Sequence, residues 1–431
     1  MRVKLFALLF VLLLVNVSVI NGQKKVNSPY ARFNIGTLTP TGSFRSLGMG
    51  GTGIAMRDNT SVSFYNPASY TSIDTASFIF DFGTDFSAVN LNDGTNKFRS
   101  GDFNFNHLII GFPISGRFGF STGIVPLSNG YYNISDVVAP GDPGYDANLG
   151  EVTYTHKGTG SLGSYYLGTG ARITRNISLG VNMSFVFGGL DRINNFDFTD
   201  YANTYNQAST ENLRLRGVRF DYGLQFNLPL KNKYFITAGV TYTPQSRFGS
   251  TREYLSTRYS YYNSADVDTL VYTYNHSKDS TKFPSVIRAG ITIGKTDKFM
   301  FEVDYTYSAW GNAMIHGNNA YLANTSSFNA GIEYIPEKYS NTSFLKRAQY
   351  RLGGHMSDNY LVLNGVQVKE YGASLGVAFR LRLTNPSIAS FYFDFTRRNG
   401  DTSKGLFNEN IFSAGVSLNL YDWWFLKRKY D

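Results

Sequence analysis

The chain contains no cysteine. Disulfides, thiolate metal sites and lipid anchoring through a cysteine are thereby excluded. Charge is scarce as well: Asp, Glu, Lys and Arg together make up 16% of the residues, against about a quarter in ordinary globular chains. Beyond the N-terminus no apolar run reaches the roughly eighteen residues that a membrane helix needs. The histidines His107, His156, His276, His316 and His355 show no HxxxH or HExxH pairing, so no metal site is expected. A serine and histidine oriented together would mark a hydrolase, but GxSxG is missing. No enzyme and no cofactor are expected.

What is present points to export. Arg2 and Lys4 precede the apolar run Leu5 to Val15, and small and polar residues follow up to Gly22. This pattern reads as a secretory signal peptide over residues 1–22. Aromatic residues reach 16%, with 35 Phe and 31 Tyr, beside 43 Gly. The formal net charge is +9. Because the basic residues are scattered, with no aromatic-interleaved stripe, nucleic acid is not an expected partner. A polar lumen and anionic outer-membrane lipid account for them better. An exported, helix-poor, aromatic chain is either a large β-sandwich or an outer-membrane barrel.

Alternation separates the two. Ile177, Leu179, Val181, Met183, Phe185 and Phe187 fall on one face of a strand, and Ser178, Gly180, Asn182 and Ser184 on the other. Val218 to Leu228 and Tyr371 to Leu383 repeat the pattern. The apolar face of these strands carries no charge, as lipid requires, while the other face is glycine, serine and charge. The lumen-facing charges Asp81, Asp85, Arg219, Asp221, Arg288, Glu302, Asp304, Arg380 and Arg382 read as partners of one another or of a plug. About fourteen such strands lie between Ser77 and Trp423, with short links alternating with long ones. The link Glu337 to Gln349 is longer than this parity wants. The tyrosine-rich stretch Tyr254 to Tyr274 alternates too, suggesting a twisted hairpin above the membrane. A solvated loop with an aromatic girdle at its base is preferred there over a tyrosine-lined ligand mouth. Trp423, Trp424 and Phe425 suit a periplasmic aromatic girdle. The expected fold is therefore all-β: a transmembrane antiparallel β-barrel of about fourteen strands over residues 75–431, preceded by a lumenal hatch over residues 23–74.

Within that hatch, Gly48-Met49-Gly50-Gly51-Thr52-Gly53 matches GxGxxG, and Asp74 follows at about the dinucleotide spacing. A nucleotide site would need a strand before it and a helix after it. Only a polar, Pro-containing segment precedes it, so Gly48, Gly50, Gly51 and Gly53 are read as allowing tight backbone packing inside a lumen. In the third strand, Pro126 stands close behind Gly119 and Gly123. Proline cannot donate to a ladder and glycine permits a bend, so these three are candidates for a lateral opening in the wall.

The stretch RSLGMGGTGIAMRDNTSVSFYNPASY, from Arg45 to Tyr70, resembles the FadL/TodX family of outer-membrane transporters. The resemblance rests on the GMGGTGIA run, on Asp58, and on Asn66-Pro67-Ala68 before the first strand. It implies a fourteen-stranded barrel with an N-terminal hatch, a kinked third strand, and diffusion of a fatty-acid-like hydrophobic ligand past the hatch and sideways into the membrane. The chain's end, Ser413 to Leu420, is similar to the signal read by the barrel-assembly machinery, an expected partner. Barrels with a similar hatch also carry cargo in type IX secretion, and there the partners are secreted proteins.

Overall fold

The computed structural model describes residues 28–40, 42–92, 94, 97–198, 205–260, 267–381 and 386–424. Residues 1–22, expected to be a signal peptide, and Arg382 and Phe425 lie outside the described residues. No helix among those described is long and apolar enough to cross a membrane.

Fourteen antiparallel strands close into a barrel. They are β1 (Ser77–Asn92), β2 (Lys97–Pro113), β3 (Phe118–Asn129, resuming as Tyr132–Val138), β4 (Val152–Arg172), β5 (Ile177–Phe198), β6 (Tyr205–Pro229) and β7 (Tyr234–Thr243, resuming as Ser246–Ser260). Then come β8 (Val267–Phe283, resuming as Val286–Lys295), β9 (Phe299–Ser308), β10 (Thr325–Tyr334), β11 (Gln349–Leu363), β12 (Val366–Arg380), β13 (Ile388–Asn399) and β14 (Asn408–Trp423). The ring closes where β14 ladders onto β1, from Trp423↔Ser77 to Asn408↔Asn92. β7 and β8 are each interrupted at a proline, Pro244 and Pro284, which has no N–H to offer. β6 pairs with both halves of β7, so the wall continues across that break.

Side chains sort as lipid demands. On β5 and β6, Leu179, Met183, Phe185, Phe220, Tyr222, Leu224 and Phe226 face outward, while Ser178, Asn182, Ser184, Asp221 and Gln225 are buried inside. Tight turns join the strands at one end, and Trp424 N–H closes onto the Ala76 carbonyl there at 2.8 Å. By the usual orientation of such barrels this is the periplasmic end. The longer link after β10 contains a single helical turn, Phe344–Arg347.

Strands extend further at the opposite end than alternation indicates. β2 begins at Lys97 rather than near Phe103, and the tyrosine-rich stretch is a hairpin, laddered from Ser246↔Phe283 to Tyr259↔Val267, rather than a solvated loop. Above the membrane both faces meet water, so the apolar alternation fades while β-pairing persists. The outer mouth is filled by an apolar body. The connection after β9 folds inward with Trp310, Ala313 and Ile315 and packs on Phe248, Phe283, Tyr360 and Leu361. Tyr30 and Ile35, from the N-terminal segment, complete it.

The lipid-facing assignment yields a measurable outcome. Met183→Arg should lower the unfolding free energy in vesicles by about 2–4 kcal/mol, read from urea titrations followed by tryptophan fluorescence.

Candidate functional site

Residues 28–74 run through the lumen from the outer end to the start of β1, and most of them are buried. A largely irregular segment inside a barrel must find acceptors for its backbone N–H groups. Here the wall supplies them. Gly50 N–H donates to Ser374 Oγ at 2.8 Å, Gly53 and Ile54 N–H both donate to Asp304 Oδ2 at 2.7 and 3.1 Å, and Ala55 N–H donates to Glu302 Oε1 at 2.9 Å. Glu302 and Asp304, on one face of β9, thus receive the run that follows the glycines.

Charge fixes the same region from the other side. Arg45 donates to both Glu333 oxygens, at 3.0 and 2.7 Å, and also pairs with Asp58. Glu333 also accepts from Arg351 Nε at 2.8 Å. Two arginines thus share one buried carboxylate, with charge-assisted geometry. Arg57 donates to Gln225 Oε1 at 2.9 Å, and Gln225 returns its amide to the Ile54 carbonyl at 3.0 Å.

The Asn66-Pro67-Ala68 triplet has a mechanical reading. Asn66 is fully buried and begins the 3-10 helix Pro67–Ser72. Its Oδ1 accepts from Ala68 N–H at 3.1 Å, as a helix cap does, and Pro67 stands in the first turn where no N–H is needed. Its Nδ2 donates to the carbonyls of Ile54, at 2.8 Å, and of Leu224 on β6, at 3.2 Å. One side chain therefore ties the helix, the end of the glycine run and the barrel wall together.

Close approach explains the glycines on both sides. A Cβ on Gly353 of β11 would overlap the Gly50 nitrogen, and one on Gly223 of β6 would overlap Asn66 Oδ1. Gly50 itself has φ +73°, a left-handed backbone suited to glycine. Gly48 and Gly51 lie in the same loop against β10, β11 and β12, and Gly53 lies under Tyr65.

The wall is not laddered evenly. β1 and β2 are paired from Ile79↔Gly111 up to Asn92↔Lys97, whereas β2 and β3 are paired only from Pro113↔Gly119 to Leu108↔Ile124. Gly119 and Gly123 sit inside this ladder; Gly119 lies against the Tyr70 carbonyl of the lumen segment, and Gly123 against Leu108 and Ile109 of β2 and the Tyr166 ring of β4. Pro126 lies two residues beyond the last pair. Above it, Thr37 and Leu38 of the lumen segment pair with Asn129 and Ser128, and Thr39 N–H bonds the Leu127 carbonyl at 3.0 Å. The segment thus adds a short strand to the edge of β3 where β2 has parted from it.

Behind this parting lies a cavity of about 780 Å³. Phe103, Phe105, Pro126 and Tyr131 stand at its side, Leu38, Gly50 and Gly51 contribute from the lumen segment, Asp85 from β1, and Asp394 and Arg398 from β13. Of the lumen charges expected from sequence, Asp85 faces this cavity, Glu302 and Asp304 hold the segment, Asp81 meets His107 at 3.2 Å, and Arg219 meets Asp221 at 3.8 Å. Sequence reading missed Arg45, Arg57, Glu333 and Arg351, and also Glu370, Asp394, Arg398 and Glu409, because their pairings depend on strand register. No cluster suited to a metal ion occurs among the described residues.

A closed fourteen-stranded ring with its N-terminal segment inside defines an outer-membrane β-barrel of the FadL/TodX architecture. The chain itself belongs to the BamG family, whose sequence model matches residues 3–431. Among solved structures it is similar to the Ralstonia pickettii toluene transporter TbuX, with a TM-score of 0.59 and 14% identity over 88% of this chain and 98% of that one. A FadL homologue of Pseudomonas aeruginosa gives 0.57 and 14% over 89% and 98%. The Pseudomonas putida toluene transporter TodX gives 0.54 and 12% over 94% and 100%. These likenesses concern the fold. No curated protein matches the sequence.

Removing the tie at Asn66 should free the segment without opening the barrel. Asn66→Ala forfeits a cap and two buried donors, a loss of about 1–3 kcal/mol. Limited trypsin digestion should then cut at Arg45 or Arg57, while the heat-resistant folded band on a gel persists. An uncut segment would refute this role for Asn66.

Proposed function

We propose that this barrel is an outer-membrane transport protein that admits an amphipathic molecule sideways, with residues 28–74 acting as the hatch that gates its onward passage. The observation that carries the reading is the short β2–β3 ladder opening onto the cavity. The apolar body at the outer mouth argues against entry along the barrel axis. Phe98, Phe103, Phe105 and Ile124 are exposed around the parting and offer a tail a lipid-side path. The cavity, at about 780 Å³, has the size of a small-molecule site, too small for a folded secretion cargo. Its lining is mixed, with Asp85 and Asp394 beside Leu47, Phe103 and Phe105, which suits an amphipathic cargo better than a simply apolar one.

Blocking the side entrance tests this. Asn104 lines the cavity beside the parting, and Asn104→Trp should reduce uptake of a fluorescent amphiphile into proteoliposomes by about tenfold, a loss near 1.4 kcal/mol in the transition state. Unchanged uptake would sink the lateral route.

A second reading concerns partners. The BamG designation suggests association with the barrel-assembly machinery, and the projecting β7–β8 hairpin supports a protein contact. Leu270, Val271, Tyr272 and Tyr274 are exposed on it, and such a strand edge invites pairing with another chain. A photocrosslinking residue at Leu270 should capture a component of that machinery in intact cells. Capture of lipid alone would count against it.

A further inference from the structure

The cavity has a sign. Its lining includes the carboxylates Asp85, Asp102, Glu370, Asp394 and Glu409, against the cations Arg398 and, when protonated, His355. Arg398 is already committed: its Nε donates to Glu370 at 2.8 Å and its other arm pairs with Glu409. Asp394 faces His355 at 3.7 Å. Asp85 is held by neutral donors, Asn106 Nδ2 at 3.1 Å and Ser87 Oγ at 3.3 Å; His107 is the neighbouring group that can carry positive charge, and among the described residues no arginine or lysine pairs with Asp85. It is buried, and burial makes an unmatched carboxylate seek a positive partner.

Two further features of the lining agree. Ser128 Oγ is buried and has no hydrogen-bond partner among the described residues, which leaves it open as an acceptor. The rings of Tyr65, Tyr131 and Tyr392 line the same cavity, and aromatic faces favour a cation near them. An incoming carboxylate would meet the opposite: like charges, and an arginine already paired twice.

We infer that the cavity receives the head group of an ammonium-bearing amphiphile. Asp85 is the principal counter-charge, the Ser128 hydroxyl is a further acceptor, and the tail lies out through the β2–β3 parting. This inference rests on the lateral-entry reading and adds the class of ligand. It departs from a fatty-acid cargo, whose head group has the wrong sign for this site.

The full-length barrel in a nonionic detergent can be titrated with dodecylammonium, dodecanoate and ethanolamine, with binding read by native mass spectrometry. Dodecylammonium should bind at least about tenfold more tightly than dodecanoate. Asp85→Asn should erase about tenfold of that affinity, as expected for loss of one charge-assisted contact, while the heat-resistant band is retained. Asp394→Asn should have the smaller effect, because His355 shares its charge. Equal or tighter binding of dodecanoate would overturn the ammonium assignment and leave lateral entry standing. Ethanolamine binding as tightly as dodecylammonium would support the ammonium site but overturn passage of the tail. Binding of none of the three would overturn both.

Discussion

A ring of fourteen strands encloses more space than its own inward side chains fill, and the rest of the structure follows from how that space is occupied. The occupant is the chain's own N-terminal segment, whose irregular backbone would be intolerable in lipid and costly in a dry interior. The wall answers with acceptors at fixed heights: Asp304 and Glu302 on β9, Ser374 on β12, and the Leu224 carbonyl on β6. These bonds set where the segment stops, and so where the cavity above it begins. Glycines on both surfaces then determine how close the backbones come.

The same segment manages the weak place in the wall. Once Pro126 withdraws a donor, β3 cannot keep pace with β2, and an exposed edge at membrane depth is a liability. Thr37 and Leu38 meet that edge with a two-residue strand of their own. The lumen segment and the parting are therefore one arrangement: displacing the segment would disturb both the lumen and the border of the parting. A ligand entering at the side would press on the element that blocks the way down.

Much of this was legible in the sequence, and the limits of legibility have a physical cause. The alternation of Ile177 to Phe187 identified a lipid face because lipid punishes every charge on it. The Asn66-Pro67-Ala68 triplet declared itself through a family resemblance, and its cap geometry explains why those residue types suit the place. Strand length was underread at the outer end, where β2 starts at Lys97, because water on both faces removes the pattern. Gly119 and Gly123 stand near Pro126 in the chain, yet Gly119 faces Tyr70 of the lumen segment and Gly123 faces the wall, since strand register and not spacing decides what a glycine meets. The Arg45–Glu333–Arg351 triad joins the lumen segment to a strand pair 288 positions away, and no local signal could announce it.

The cavity carries the sharpest departure from the hydrophobic-cargo expectation. A path for a purely apolar molecule has no use for Asp85, Asp394 and Glu409 in its wall, because each costs desolvation free energy that an apolar guest cannot return. Such groups persist where something satisfies them, and Arg398 does so for only part of the set. Of the remaining charge, Asp85 stands on β1 opposite Asn104 of β2, the strand that carries Phe103 and Phe105. An amphiphile with its tail among Phe103 and Phe105 and a positive head group inside would satisfy both halves of that surface at once. The opening and the acidic lining then belong to a single recognition site, one half read by hydrophobicity and the other by charge.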